Sequence, residues 1–359
     1  MKILISGYYG FENTGDDAVL ECIVAGLKEK GIYDVTVLSN APYVTSSKYG
    51  VKSINRNSFK DIFNAIKNAD VIISGGGSLI QDVTSSKSLW YYLSIIFLGI
   101  LLRKKVYIVG QGIGPIHRRY NKVLASFLLK RVDMITVRDE DSLSVLKELN
   151  IDKNVILAAD PVVNLNVCSD ERIEKILKDE GIDKNRYIVV CTREWGNNEL
   201  SRVELAKAID AISMKYNLEV VFLPFYYKKD ELESQKVANY LKSPYKIVRG
   251  KYEPNEILGI IKKCSLLIGV RLHSLIFALV ALVPFIGISY DPKIDGFLKS
   301  VDSKIFKIDK FSSDEIANYA ESILNHRDKF IENLKIHLKS LRELSKNNFV
   351  YLKNNDDEV

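Results

Sequence analysis

Short apolar runs bounded by glycine or polar turns alternate with longer stretches in which apolar residues recur every three or four positions. The first pattern predicts strands buried on both faces, the second amphipathic helices. Their steady alternation argues for an α/β architecture with parallel sheets. In the first half the strands read as Lys2–Ser6, Val35–Leu38, Val71–Ser74, Val106–Val109, Met134–Val137 and Val155–Ala158. Helices are predicted over Asp16–Lys30, Asp61–Asn68, Tyr120–Lys130 and Glu140–Leu149. The second half repeats the scheme with strands Tyr187–Cys191, Glu219–Leu223, Tyr245–Val248, Leu266–Ile268 and Phe285–Ile288. Asp160-Pro161 and the aperiodic stretch Asn164–Asp170 read as a hinge. Beyond Phe311 the pattern is helical to Tyr351, then frays over Asn354–Glu358.

At 359 residues the chain exceeds one ordinary core. The expected organisation is an N-terminal Rossmann-like domain (1–165), a C-terminal one (166–310) and terminal helices (311–359) packing back on the first. Ligands of open α/β sheets lie beyond the carboxyl ends of the strands, so two such domains facing a cleft would place a site there.

The net charge of +6 is mild and the lysines are scattered without a long basic block, which argues against nucleic acid. Anionic ligands and an anionic membrane surface remain compatible. Cys22, Cys168, Cys191 and Cys264 lie far apart in or beside apolar segments, as buried free thiols of a cytoplasmic protein would. No H-E-x-x-H, Asp-x-Asp or Cys/His cluster predicts a metal site. Leu89–Leu102, closed by Arg103-Lys104-Lys105, falls short of the roughly 20 apolar residues that span a bilayer. It reads as a buried helix or as one that greases a lipid surface with the basic trio against head groups.

Candidate chemistry gathers in the loops after strands. Arg271 and His273 sit where Leu266–Ile268 turns into a helix from Ser274, a place that favours an anion. The strand Val283–Ile288 delivers Tyr290, Asp291 and Lys293 to what should be the same edge. Two cations and an imidazole together suit a small, highly charged substrate such as a phosphorylated carboxylate. Arg138 stands at the carboxyl end of Met134–Val137, where it would grip an anion or pair with a neighbouring acid. Arg193 and Trp195 follow Tyr187–Cys191.

In the first loop Asp16 would cap the following helix, Asn13 and Asp17 could bind sugar hydroxyls, and Tyr8 and Tyr9 could stack on a sugar face. The glycine spacing there is not G-x-G-x-x-G, so a dinucleotide site is poorly supported. Gly75-Gly76-Gly77-Ser78 lets a ligand approach the backbone and would leave amides for it, unless it is only a tight turn. Asp82 follows it, and Gln111 is the residue to watch in Gly110–Pro115.

Together these segments resemble the polysaccharide pyruvyl transferases. The resemblance rests on Gly7-Tyr-Tyr-Gly-Phe with Gly15-Asp-Asp17, Gly75-Gly-Gly-Ser-Leu-Ile-Gln-Asp82, Gly110-Gln-Gly-Ile-Gly-Pro115 and Val137-Arg-Asp139. Asp160-Pro161, Arg271-Leu-His273 and Ser289-Tyr-Asp-Pro-Lys293 complete it. The order holds from residue 1 to about 310, and the joint set is similar to the CsaB-type branch that pyruvylates secondary cell-wall polymers for S-layer anchoring. The resemblance implies a GT-B-like fold and phosphoenolpyruvate as donor, used as a substrate with no cofactor. It also implies a β-linked N-acetylmannosamine acceptor on a lipid diphosphate, given a 4,6-linked pyruvate ketal. Arg138, Arg271, Lys293, Gly76 and Gly77 would then serve the donor, with His273 and Arg271 catalytic. Asn13, Asp17, Asp82, Gln111 and Tyr290 would serve the acceptor. The rival readings are a GT-B glycosyltransferase using a nucleotide sugar and a non-catalytic glycan-binding protein. An enzyme acting on a lipid-linked precursor would work in the cytoplasm, at the inner face of the membrane.

Overall fold

The structure, a computed structural model, describes residues 1–182, 186–196 and 198–352. The frayed tail expected over Asn354–Glu358 lies outside the described residues. The chain forms two compact units. Unit 1 is Met1–Asn164 joined by the stretch from Leu341, and unit 2 is Leu165–Ser340. The terminal helices thus make no layer of their own.

Unit 1 alternates strand and helix throughout: β1 (Lys2–Ser6), α1 (Thr14–Glu29), β2 (Asp34–Ser39), α2 (Pro42–Tyr49), β3 (Lys52–Asn55), α3 (Phe59–Asn68) and β4 (Val71–Gly75). It continues through α4 (Ser86–Leu101), β5 (Lys105–Gln111), α5 (Arg119–Leu129), β6 (Met134–Val137), α6 (Glu140–Glu148) and β7 (Val155–Leu157). Its sheet is parallel, with strand order β3-β2-β1-β4-β5-β6-β7.

Unit 2 opens with α7 (Asp170–Asp179) and runs β8 (Tyr187–Cys191), α8 (Glu199–Tyr216), β9 (Glu219–Phe222), α9 (Lys229–Ala238), β10 (Tyr245–Ile247) and α10 (Pro254–Lys262). There follow β11 (Leu266–Gly269), α11 (Leu272–Val280), β12 (Phe285–Ser289), α12 (Pro292–Ser300), β13 (Ile305–Lys307), α13 (Ser313–Asn325) and α14 (Arg327–Ser345), whose last turn belongs to unit 1. Its sheet, again parallel, has the order β10-β9-β8-β11-β12-β13. Each unit therefore has one switch point where strand order reverses, between β1 and β4 and between β8 and β11, the place where open sheets take ligands.

The central strands are buried on both faces. Leu4, Ile72, Val106 and Ile108 pack with Ile66, Leu93 and Leu128, and Ile188, Val190 and Ile268 pack with Ile209 and Ile212. The strands β3 and β13 were missed by pattern reading because Lys-Ser-Ile-Asn and Ile-Phe-Lys are short sheet margins with few apolar positions. A 3-10 turn at Lys346–Phe349 completes unit 1. The buried Asn348 accepts from Thr136 Oγ1 at 2.7 Å and donates to the Ala159 carbonyl at 2.9 Å. The Asn347 amide reaches the Leu157 carbonyl at 2.9 Å.

Candidate active site

In unit 2 the charged residues stand on the loops at the switch point. Arg271 is the N-cap of α11, held extended at φ −104°, and its carbonyl accepts from Ser274 Oγ. Its guanidinium makes a two-point contact with Asp230, Nε to one oxygen and Nη2 to the other. Arg271 is 13% exposed and Asp230 1%, so the pair is well withdrawn from water. Asp230 also accepts the amides of Phe225 and Tyr226 at 3.2 and 2.8 Å, which fixes the carboxylate that aims the arginine. His273, in the first turn of α11, is half-buried.

The neighbouring strand β12 is followed by Tyr290 and by Asp291, which caps α12 by accepting the Lys293 amide at 3.1 Å. The Lys293 ammonium lies 3.3 Å from the same carboxylate. From β8 comes Arg193, whose guanidinium lies 4.5 Å from the Tyr290 ring centre and donates to its hydroxyl. Trp195 packs on that ring at 4.6 Å. Burial, against the pull of Arg193 and Arg271, raises the Tyr290 phenol above its ordinary pKa, so it stays a neutral hydroxyl. Arg193 and Trp195 also line a small pocket with Arg202, Glu233, Val270 and Ile288. Sequence reasoning missed Asp230, because an acid in the first turn of a helix looks like ordinary capping. Its pairing with Arg271 spans 41 positions and is visible only once the strand order β9-β8-β11 brings the segments after β9 and β11 to one sheet edge.

In unit 1 the loops after β4 and β5 are zipped together. Gly112 donates to the Gly77 carbonyl and Gly114 to that of Ile80, each at 2.8 Å, and the Gly76 amide donates to Val109 at 2.9 Å. The expectation that the glycine run leaves its amides for a ligand thus fails at Gly76. A Cβ there would fall 1.8 Å from Val19 Cγ1 of α1, at φ +53°, so Gly76 serves close helix packing. Gly77, at φ +69°, faces Asp16 Oδ1 instead.

Arg138 follows β6 and is 4% exposed. It pairs with Asp160 at 2.9 Å and Asp139 at 3.4 Å, and it donates to Ser78 Oγ at 3.1 Å. Burial pulls its pKa down, but Asp160 and Asp139 outweigh burial and leave it above its usual value. A Cβ on Gly112 would come within 2.8 Å of this guanidinium, which explains the glycine.

Asp82 is buried and accepts the His117 and Arg118 amides and the Asn121 side chain at 2.7, 2.9 and 2.9 Å. Burial raises its pKa, and these three donors bring it below the ordinary carboxylate value. Gln111, wholly buried, donates to Ser74 Oγ at 2.8 Å. The helix α1 is capped by Asn13, which accepts the Gly15 amide at 3.2 Å, and not by Asp16 as expected; Asp16 and Asp17 fill its first turn. The Asp17 carboxylate lies 3.6 Å from the Lys48 ammonium. Tyr9 cannot stack on a sugar: it is buried, with its hydroxyl donating to the Gly75 carbonyl at 3.0 Å, while Tyr8 stacks on Phe11. Among the described residues no His, Cys, Asp and Glu side chains are grouped to hold a metal. Cys22, Cys191 and Cys264 are buried free thiols, and Cys168 is half-buried.

Two parallel sheets of reversed strand order, each with a loop site at its switch point, are the GT-B architecture, and solved structures agree. The Anabaena protein Alr3699/HepE, in complex with UDP and glucose, superposes with a TM-score of 0.64 at 15% identity, over 96% of this chain and 95% of that one. A putative UDP-N-acetylglucosamine 2-epimerase from Listeria monocytogenes gives 0.65 at 12% identity, over 93% and 91%. At such identities the likeness carries the fold alone. In sequence the chain is 23% identical to the amylovoran biosynthesis protein AmsJ of Erwinia amylovora, over 84% of this chain and 86% of that protein. Residues 13–292 match the profile of the Polysaccharide pyruvyl transferase family. That span begins at the cap of α1 and ends at the first residue of α12, taking in the loops after β4, β5, β6 and β11: the chain belongs to the polysaccharide pyruvyl transferase family.

Proposed function

We propose that the protein transfers the pyruvyl group of phosphoenolpyruvate onto two hydroxyls of one sugar as a cyclic ketal. The acceptor we assign is a β-linked N-acetylmannosamine of a lipid-diphosphate-linked cell-wall glycan, modified at O4 and O6 on the inner face of the membrane. One observation carries the reading: the family match over 13–292 includes the adjacent parallel strands β11 and β12 and the segments after them, which contain Arg271, His273 and Tyr290.

Phosphoenolpyruvate brings a phosphate and a carboxylate, which suit a planar guanidinium fork and a lysine point charge. We assign its recognition to Arg138, Arg271 and Lys293, with Gly77 leaving room beside it. The atoms balance without redox change. One hydroxyl oxygen bonds to C2 of the donor while a proton is added to its methylene carbon, giving a methyl group. The second hydroxyl oxygen then bonds to the same carbon as the C–O bond to phosphate breaks. The two hydroxyl protons are accounted for, one on the methyl group and one on the released phosphate.

His273 is the proton carrier in this scheme, since an imidazole gains and loses a proton near neutrality. The cations stabilise the charge that gathers on the departing phosphate. Asn13, Asp17 and Tyr290 are assigned to the acceptor. Asp82 and Gln111, buried and bonded to this chain's own groups, are positioning residues for the loops the acceptor meets.

The test is incubation with phosphoenolpyruvate and a lipid-linked or synthetic N-acetylmannosamine disaccharide. The product should gain the mass of pyruvate less one water, with one phosphate released per ketal. Turnover only with a nucleotide sugar would instead select the glycosyltransferase reading, which shares the fold. Glycan binding without turnover of phosphoenolpyruvate would select a binding protein.

A further inference from the structure

Between Asp82 and Asp133 lie fifty consecutive residues that contain nine lysines and arginines and not one aspartate or glutamate. Take those nine from the chain's 51 and the remainder is outnumbered by its 45 acidic residues. The whole positive balance of the protein therefore resides in this one window, which contains α4 and α5, two helices packed side by side.

Neither helix buries its whole surface. On α4 the outward positions Lys87, Trp90, Ser94, Phe97 and Leu101 recur at steps of three and four, one continuous stripe. On α5, Tyr120, Val123, Leu124 and Phe127 are also exposed. The seven large apolar side chains of the two helices are between 39% exposed (Leu124) and 64% exposed (Val123). Scattered single apolar residues on a surface need no explanation, but a contiguous aromatic and aliphatic group does. Lys87, Arg103, Arg119, Lys122, Lys130 and Arg131 are exposed in the same segment.

We infer that this face of unit 1 docks on an anionic lipid bilayer, with the apolar side chains of α4 and α5 entering the head-group boundary and the cations against lipid phosphates. Charge complementarity selects the occupant. A basic rim, in which among the described residues only Lys122 has an acidic partner (Glu148 at 3.9 Å), around an apolar and aromatic centre is what an anionic interface rewards, and Trp and Tyr favour its depth. Spanning is not involved: among the described residues no helix is long and apolar enough to cross a membrane. The face is also tied to a loop of the site. Trp90 Nε1 donates to Asn121 Oδ1 at 2.8 Å, and Asn121 Nδ2 donates to Asp82 at 2.9 Å, the carboxylate at the end of the Gly75–Asp82 loop. Surface and loop are thus parts of one bonded assembly within unit 1.

The experiment uses the full-length protein without substrates, so it stands or falls independently of pyruvyl transfer. Co-sedimentation is measured with phosphatidylcholine vesicles and with the same vesicles containing phosphatidylglycerol. Binding is expected only to the anionic vesicles and to weaken as salt is raised. The double variants Phe97→Ser/Phe127→Ser and Lys122→Glu/Lys130→Glu should each reduce it on the order of tenfold or more. Their thermal midpoints, and their activity on a water-soluble acceptor, should match the parent protein.

Equal binding to both kinds of vesicle, no binding to either, or variants that bind as the parent does would each overturn the proposal. So would a parent dimer that Phe97→Ser/Phe127→Ser converts to monomer, since a second copy would then be the occupant.

Discussion

Arg138 and Arg271 occupy matching places, each at the carboxyl end of a strand and just before a helix, yet they are held differently. Arg138 is shared among Asp160, Asp139 and Ser78, on three separate segments of unit 1, and is 4% exposed. Arg271 meets a single carboxylate, Asp230, at two points, and that carboxylate is itself fixed by two backbone amides. A guanidinium spread over three segments ties loops together. One clamped from behind by a single acid is aimed. The comparison teaches that the same residue in the same topological position can be tied to several segments in one unit and held by a single acid in the other.

The largest effect that can break this comparison is expected at His273, two residues past the aimed arginine. His273→Gln should keep the thermal midpoint and much donor binding, yet lose about two to four orders of magnitude in turnover. Substantial turnover with an unchanged pH profile would remove the histidine from the chemistry.

The two carboxylates come next. Asp160→Asn and Asp230→Asn each leave a mostly buried guanidinium short of an opposite charge, and about 3–5 kcal/mol of stability should be lost in each. Asp230→Asn should also weaken donor use, through mis-aimed Arg271, beyond what its melting curve explains. Equal stability loss with untouched donor kinetics in both would erase the distinction drawn here.

Removing a cation is a smaller and sharper probe. Lys293→Ala and Arg138→Ala should each cost roughly 1.5–3 kcal/mol in donor binding by calorimetry, but only Arg138→Ala should lower the melting temperature. Normal donor affinity in both would dismiss them as donor ligands.

The smallest effect is at Asp82. Its folded pKa is depressed, so its contribution is present above the unfolded carboxylate's value and is lost as pH falls through the folded one. Asp82→Asn should therefore be less stable than the parent at pH 7, with the gap closing below about pH 4. A gap that is constant from pH 7 to pH 3 would show that charge at Asp82 does not matter.

Much of this could be read from residue order, and the failures have physical reasons. Buried central strands such as Met134–Val137 and Tyr187–Cys191 are legible because both faces are apolar, so their run is continuous. The marginal strand β3 shows too few apolar residues to be seen. Arg138 and Asp160-Pro161 were both singled out, but their pairing is created by the sheet, which lays β6 beside β7. Asp230 gave no distinguishing signal at all. The helix α4 was open to two readings, and the structure divides it: Leu89, Leu93 and Ile96 are core while Trp90, Phe97 and Leu101 face outward. The exposed apolar residues of α5 give no separate signal in the sequence, because a helical period accounts for them together with the buried Ala125, Leu128 and Leu129.

Unit 1 begins at Met1 but is completed by Asn347 and Asn348, which close on Leu157, Thr136 and Ala159. A ribosome making this chain has unit 2, Leu165–Ser340, wholly synthesised before those asparagines exist. Domains usually mature in the order they emerge. Here the inserted second unit can reach its final form first, and the N-terminal unit must wait for a segment made after it.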